Sequence, residues 1–341
     1  PSFGGTWRQH TYPGIRSDSD LHTFGYGFKP WTGRPIADGG AILDYLEGAI
    51  EDDKIDQHIR YQSEVLSASW CSESQRWLVE VRNTESDTVT HLSCTFLWMC
   101  QGYYRHSEGY TPEWTGMDTF KGRIVHPQTW PEDLDYKGKR VLVIGSGATA
   151  ATLIPNMADD CEHITMLQRS PTYFWTGENR NELADQLREL EVPEEWVHEI
   201  VRRSILKIAK DIQYLSASNP ELIKEELFSV IRQYLGDDFD MSHITPSYRP
   251  WQQRLAYVPD GDLFEGIKSG KVTVVTDHID RFTGEGILTI SGELLEADII
   301  ITATGFNLSV MGDIEFDVDG EPVDFSNSFT YRGIMNSGVP N

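Results

Sequence analysis

The densest chemistry in this chain lies in Gly145-Ser146-Gly147-Ala148-Thr149-Ala150, a GxGxxA spacing. The run Val141-Leu142-Val143-Ile144 precedes it, and residues 148–157 follow with helical character. A glycine pair between a strand and a helix is the dinucleotide fingerprint. Gly145 permits the tight turn, Gly147 lets backbone approach a pyrophosphate, and Ala150 allows close helix–strand packing. The helix start, through Ala151, offers unpaired N–H groups to phosphate oxygens. At the end of the next strand stand Gln168 and Arg169. A neutral ribose diol is usually held there by an acid, whereas a guanidinium suits a 2′-phosphate. The spacing therefore predicts NADP(H) rather than NAD(H).

These residues need a βαβ unit to hold them. Arg140 leads into Val141–Ile144, a continuous apolar run typical of a strand buried on both faces, and His163–Leu167 supplies the second strand. Residues 178–248 differ. Stripes at Leu183, Leu187, Leu190, then Val197, Val201, Ile205, Ile208, then Ile223, Leu227, Val230, Ile231, Tyr234 recur at helical spacing. Asn219-Pro220 opens the third helix and Gly236 stops it. This is an all-helical insertion. Strands resume at Lys271–Thr276, in a hairpin around Gly284–Gly286, and at Asp298–Thr302. Upstream, residues 1–40 form a long ordered loop, and Ala41–Ile50 a helix. Ile59–Trp70 and Trp77–Val81 form a β-hairpin or meander turning at Cys71–Gln75, and Ser93–Met99 is a buried strand ending before Gly102.

Composition narrows the partners. There are 341 residues, 29 basic and 53 acidic, for a net charge of −24. Such a surface repels nucleic-acid phosphates and anionic lipid. The longest purely apolar run, Phe96–Cys100, is far too short for an integral membrane segment. Cys71, Cys94, Cys100 and Cys161 form no CxxC pair. Free thiols and the lack of a visible signal peptide predict a cytoplasmic protein without redox disulfide or structural metal.

Three further phrases stand in order around the fingerprint. The chain opens with Gly5-Thr6-Trp7, then Tyr12-Pro13-Gly14 and Asp18. Phe120, Gly122, His126 and Trp130 follow in the register FxGxxxHxxxW. Together with GSGATA they resemble the fingerprints of the type I Baeyer–Villiger flavin monooxygenases. The phrases at Tyr12–Asp20, His126–Tyr136 and Gln168–Tyr173 are most similar to the ethionamide-activating subgroup. The resemblance covers essentially the whole chain. It implies an α/β flavoprotein with two dinucleotide-binding domains, Rossmann-like for FAD and for NADP, and a helical insertion. On that pattern 1–136 belongs to the FAD domain, 137–177 and 249–302 to the NADP domain, 178–248 to the insertion, and 303–341 to the return into the FAD domain. The family's N-terminal FAD GxGxxG unit has no counterpart here, which marks the sequence as an internal fragment.

The resemblance implies FAD and NADPH as cofactors. Oxygen would be inserted next to a ketone carbonyl, with thioamide or sulfide sulfur as a second target. An N- or S-oxidising flavin monooxygenase and a non-catalytic NADP(H)-binding fragment are the alternatives. Thr6, Trp7, Arg8, Gln9, Arg16, Ser17, Asp18 and Val65 match cofactor-contacting positions, and Ala303-Thr304-Gly305-Phe306 matches a linker. Arg254 matches the catalytic arginine, with Asp18 beside it. Gln253 stands where many relatives carry a lysine, leaving more of the NADP preference to Arg169. Alone, Asp18 between Ser17 and Ser19 reads first as a turn cap, Trp7 and Tyr12 also read as packing aromatics, and His126 is structural.

If Arg169 holds a 2′-phosphate, the charge-assisted contact contributes about 1.5–3 kcal/mol. Arg169→Ala should then raise the Michaelis constant for NADPH about tenfold or more and leave NADH use nearly unchanged. Equal losses for both nucleotides would refute the assignment.

Overall fold

The computed structural model describes residues 2–341. The described chain divides into two compact units, one of residues 2–3, 50–109 and 306–341, the other of 4–49 and 110–305. This division by compactness places 4–49 with the nucleotide fingerprint, so it differs from boundaries drawn by cofactor.

The second unit is built on a five-stranded parallel sheet. Its order is Val272–Thr276, His163–Gln168, Arg140–Ile144, Ile299–Thr302, Arg123–Val125. Both faces are covered, which explains the unbroken apolar runs. Val141, Val143 and Ile301 face the Ala148–Met157 helix with Leu153, Ile154, Met157, Phe174 and Phe264. Leu142, Ile144, Leu167 and Ile300 face the antiparallel meander of Ile279–Phe282, Gly286–Thr289 and Leu294–Glu296 through Phe282, Ile287 and Leu295. The insertion is helical as its stripes predict: Glu182–Glu189, Glu194–Ser218 and Pro220–Leu235. Pro220 opens the last of these at its first turn and Gly236 caps its end. The opening segment carries two single-turn helices, Thr6–Gln9 and Leu21–Phe24, joined by loops.

The first unit contains a sheet ordered Glu321–Pro322, Glu315–Val318, Ser63–Cys71, Arg76–Asn83, Val89–Cys94. It closes on Ala68, Trp70, Trp77, Val79, Val81 and Phe316. One sequence expectation fails here. The third strand of the meander is Val89–Cys94, and 95–100 is not strand. Pairing with Arg76–Asn83 ends at Cys94. Beyond that point Phe96 and Trp98 are exposed at 58% and 80%. Apolar composition alone does not make a strand where no neighbour offers a hydrogen-bonding edge.

No helix among the described residues is long and apolar enough to cross a membrane.

Leu153 is fully buried between the parallel sheet and the Asp262–Lys268 helix layer. Leu153→Ala should cost about 3 kcal/mol, the range for a cavity the surroundings only partly fill. Urea unfolding measures it, and a loss below about 1 kcal/mol would contradict this packing. His126 gives a second test. Its Nδ1 accepts from the Gln128 amide at 3.1 Å, so its Nε2–H donates to the Gly305 carbonyl at 3.0 Å. Burial pushes its pKa down, against the opposing effect of the Gly305 and Tyr110 backbone. Stability from this neutral imidazole is present above the ordinary histidine value of about 6.5 and lost as pH falls through the lower folded value. His126→Gln should flatten the acid limb of a stability–pH curve. An unchanged acid limb would refute the role.

Candidate functional site

The fingerprint sits at the carboxyl edge of the parallel sheet, where ligands bind in such folds. Gly145 has φ +127°, and a Cβ there would lie 2.4 Å from the Ala303 carbonyl oxygen, so only glycine fits. A Cβ on Gly147 would meet nothing within 4 Å. Its side of the turn therefore opens to free space at the start of the Ala148–Met157 helix. Gly147 is that helix's N-cap and supplies no side-chain bond to the first-turn amides. Ala150 and Ala151 are buried at 0% and 1% exposure beneath the turn. These features fit a pyrophosphate held by backbone N–H groups. Ser146 is turned the other way: its Oγ lies 2.9 Å from Thr172 Oγ1, bracing the turn against the following loop.

Two neighbouring residues have opposite fates. Arg169 is exposed and makes no ion pair among the described residues, so its charge is available to a ligand. The Gln168 side chain is 1% exposed; its amide donates to the His243 carbonyl at 2.5 Å and to Thr276 Oγ1 at 2.8 Å. It locks the strand end rather than facing outward.

A second constellation forms in the same unit. Arg254 Nη2 donates to Asp18 Oδ1 at 2.7 Å and lies 3.3 Å from Ser19 Oγ. The structure thus joins residues 236 positions apart, as the resemblance implies. The Arg254 side chain is 63% exposed and Asp18 29%. Arg254 follows the turn at Trp251, whose φ of +61° is a left-handed conformation in a bulky residue. It precedes the Ala256–Pro259 strand, paired in parallel with Phe174–Gly177. Asp18 is held by its own strip. The Ser17 amide donates to the Ala37 carbonyl at 2.8 Å, and the Ala37 amide to Ser17 Oγ at 3.2 Å. Ser17 is buried, so its hydroxyl serves the strip. Arg16 is committed in the same way: its guanidinium grips Asp262 at 2.5 and 3.3 Å. Sequence reasoning missed Asp262, because an acid in the first turn of a helix is ordinary. Nearby, Tyr257 donates to the Gly177 carbonyl at 3.1 Å, and burial, with Asp260 and Asp20 close by, pushes its phenol up to about 12.

The remaining sequence-assigned positions are more dispersed. Thr6, Trp7, Arg8 and Gln9 form the first single-turn helix; Trp7 packs against the cluster of Leu21, Trp31, Ala37 and Ile42. Tyr12 is buried in the main core. Val65 lies in the first unit, opposite Val81 and next to a bulge before Ser67. Of the linker residues, Thr304 and Gly305 are tied down within the second unit. Thr304 Oγ1 donates to the Tyr110 carbonyl at 2.6 Å, and the Tyr110 amide donates to the Gly305 carbonyl at 3.1 Å. A cavity of about 730 Å³ lined by His22, Arg34, Asn179, Arg180 and Asp260 contains none of the assigned residues.

Comparison with known proteins identifies relatives of the whole chain. A model of the flavin-binding monooxygenase-like family matches residues 37–182. The FAD-containing monooxygenase EthA of Mycobacterium tuberculosis is 46% identical over 344 residues, covering 100% of this chain and 70% of that protein. The probable FAD-binding monooxygenase AlmA of Acinetobacter baylyi is 42% identical over 342 residues, with 100% and 68% covered. Among solved structures, an ε-caprolactone-bound cyclohexanone monooxygenase matches with TM-score 0.73 at 23% identity, over 93% of this chain and 70% of that one. An oxidised steroid monooxygenase bound to NADP matches with TM-score 0.71 at 26% identity, over 92% and 66%. A glycine turn at the sheet edge, a parallel sheet covered on both faces and 42–46% identity to these relatives along all of this chain agree: the chain belongs to the FAD-containing flavin monooxygenase family.

Proposed function

We propose that this protein is an FAD-dependent, NADPH- and O2-using monooxygenase acting on a small molecule. We assign it oxygen insertion next to a ketone carbonyl, giving an ester or lactone, with oxygenation of thioamide or sulfide sulfur as its second reaction. The observation that carries this reading is the Arg254–Asp18 pair at 2.7 Å, in the same compact unit as the nucleotide turn. The names of the relatives and of the neighbouring structures support it. In this reading the cofactor domains follow the boundaries drawn from sequence, and the enzyme works in the cytoplasm.

The first-turn amides after Gly147 would hold the NADP pyrophosphate, and Arg169 the 2′-phosphate. Thr6–Gln9 and Arg16–Asp18 would contact cofactor, Arg16 and Ser17 through backbone because their side chains are engaged internally. Bound FAD would supply hydride acceptance from NADPH and the activation of oxygen. The protein's own part is electrostatic. The Arg254 guanidinium stabilises negative charge developing on oxygen at the reacting carbonyl, the role of a preorganised donor. Asp18 fixes the direction of its Nη2–H and leaves the remaining N–H groups of the fork for the reaction. No proton need leave the arginine.

Arg254→Ala in the FAD-loaded enzyme should lower product formation about 10²-fold, the scale for one lost donor. Flavin reduction by NADPH should survive at least in part, with reducing equivalents lost to hydrogen peroxide. Stopped-flow reduction alongside product analysis tests this. Ester formation near the wild-type level would refute the role of Arg254.

A further inference from the structure

Two ion pairs, not one, join the segments that carry the candidate reactive groups. Arg16 and Asp18 stand two residues apart on one strip. Arg254 and Asp262 flank the Ala256–Pro259 strand on the other. Arg16 meets Asp262 and Asp18 meets Arg254. We propose that the Arg16–Asp262 pair is a positioning clamp for Arg254: a sheltered ion pair that sets the spacing and register of the two strips on which Asp18 and Arg254 stand. The proposal rests on the reading of Arg254 given above.

The first argument is charge order. Along one strip the charges run plus at 16 and minus at 18; the other strip offers plus at 254 and minus at 262. If the two strips met in the opposite direction and exchanged partners, Arg16 would face Arg254 and Asp18 would face Asp262. Both new contacts would be repulsive, so the pattern enforces one direction of pairing. The second argument is shelter. Arg16 and Asp262 are 14% and 28% exposed, whereas Arg254 is 63% exposed. An exposed pair is screened and loses side-chain entropy, so alone it holds little. The two-point grip of Arg16 on Asp262 is geometrically restrictive in a way a single contact is not. The third argument is that both anchors are stiff. The Gly39 amide donates to the Ile15 carbonyl at 2.9 Å, beside the Ser17–Ala37 bonds and a bridge between Arg16 and Asp38. On the other strip the Ala256 amide donates to the Tyr173 carbonyl at 3.0 Å, and Asp262 Oδ1 accepts from the Leu263 amide at 2.8 Å. A clamp between stiff strips transmits position; between floppy ones it would not.

The test uses FAD-loaded enzyme and four variants: Asp262→Asn, Arg16→Lys, the reversed double variant Arg16→Asp with Asp262→Arg, and Asp18→Asn. The readout independent of turnover is the Arg254 guanidinium signal in ¹⁵N-arginine-labelled protein, assigned by its loss in Arg254→Lys. Asp262→Asn should broaden or shift that signal as Asp18→Asn does, and should lower product formed per NADPH consumed about tenfold, a fraction of the cost of a 1 Å misplacement. The Michaelis constant for NADPH should change less than about twofold, a separation that general unfolding would not give. Arg16→Lys, which keeps the charge but not the fork, should be intermediate, and the reversed pair should restore both readouts. Thermal unfolding monitors the fold; if Asp262→Asn does not fold, the Arg16→Lys and reversed variants decide. An Arg254 signal indifferent to Asp262→Asn but lost in Asp18→Asn would overturn the clamp, as would a folded reversed variant that restores neither readout. If the signal follows Asp262 while Arg254→Ala oxygenates normally, the clamp stands and the proposed role of Arg254 falls.

Discussion

The close approach of Gly145 to Ala303 is the constraint on which much of the second unit depends. The Arg140–Ile144 and Ile299–Thr302 strands are hydrogen-bonded neighbours, and both end at the same edge. One chain must turn sharply into a helix there, and the other must leave toward residue 306. Their backbones come so near that a single methyl at 145 would strike the Ala303 carbonyl. The nucleotide turn and the Ala303–Gly305 segment are therefore one packed feature rather than two motifs. The hydrogen bonds of Thr304, Tyr110, Gly305 and His126 continue it outward. The rigidity that aims the first-turn amides is the same rigidity that holds the linker.

Charge is distributed with a similar economy. The chain carries −24 overall, yet its candidate site is organised around three arginines with separate duties. Arg169 is left without an ion-pair partner among the described residues, Arg254 is half-satisfied by Asp18, and Arg16 is fully engaged by Asp262. The duty follows from surroundings rather than residue type. A guanidinium gripped at two points by a sheltered carboxylate has little left for a ligand, whereas one at an open strand end has all five donors to offer.

Much of this fold was legible because burial leaves period in a sequence. The parallel strands read as unbroken apolar runs because helices cover one face and the meander the other. The insertion was legible from stripes at helical spacing and from the Pro220 and Gly236 punctuation. Ser93–Met99 failed because an apolar run states a preference for burial but not whether a pairing edge exists. In the site, Gly145 was legible from local geometry, since only glycine fits so close to Ala303, and Gly147 from its place at the open start of the helix. The Arg254–Asp18 contact was not: nothing local to either residue announces the other, and only likeness to a family paired them. Arg16 and Asp262 were invisible as a pair, because an ion pair 246 residues apart leaves no period and no spacing.

The exposure of Arg254 bears on how such a residue could work. At 63% exposure its charge is bathed by water, where two unit charges 4 Å apart interact by only about 1 kcal/mol. At an effective dielectric near that of a protein surface the same pair is worth about 4 kcal/mol. Under the proposed function, the bound nucleotide and substrate must therefore supply much of the electrostatic strength by excluding water from around the guanidinium. The arginine cannot be buried beforehand at low cost, because an ion stripped of water needs full compensation. Pairing with Asp18 offers partial compensation while leaving donors free. This division of labour explains why the sheltered, fully matched pair is Arg16–Asp262 and the open, half-matched pair is Arg254–Asp18. The first can afford to be static, and the second has to keep capacity for charge that appears only during reaction.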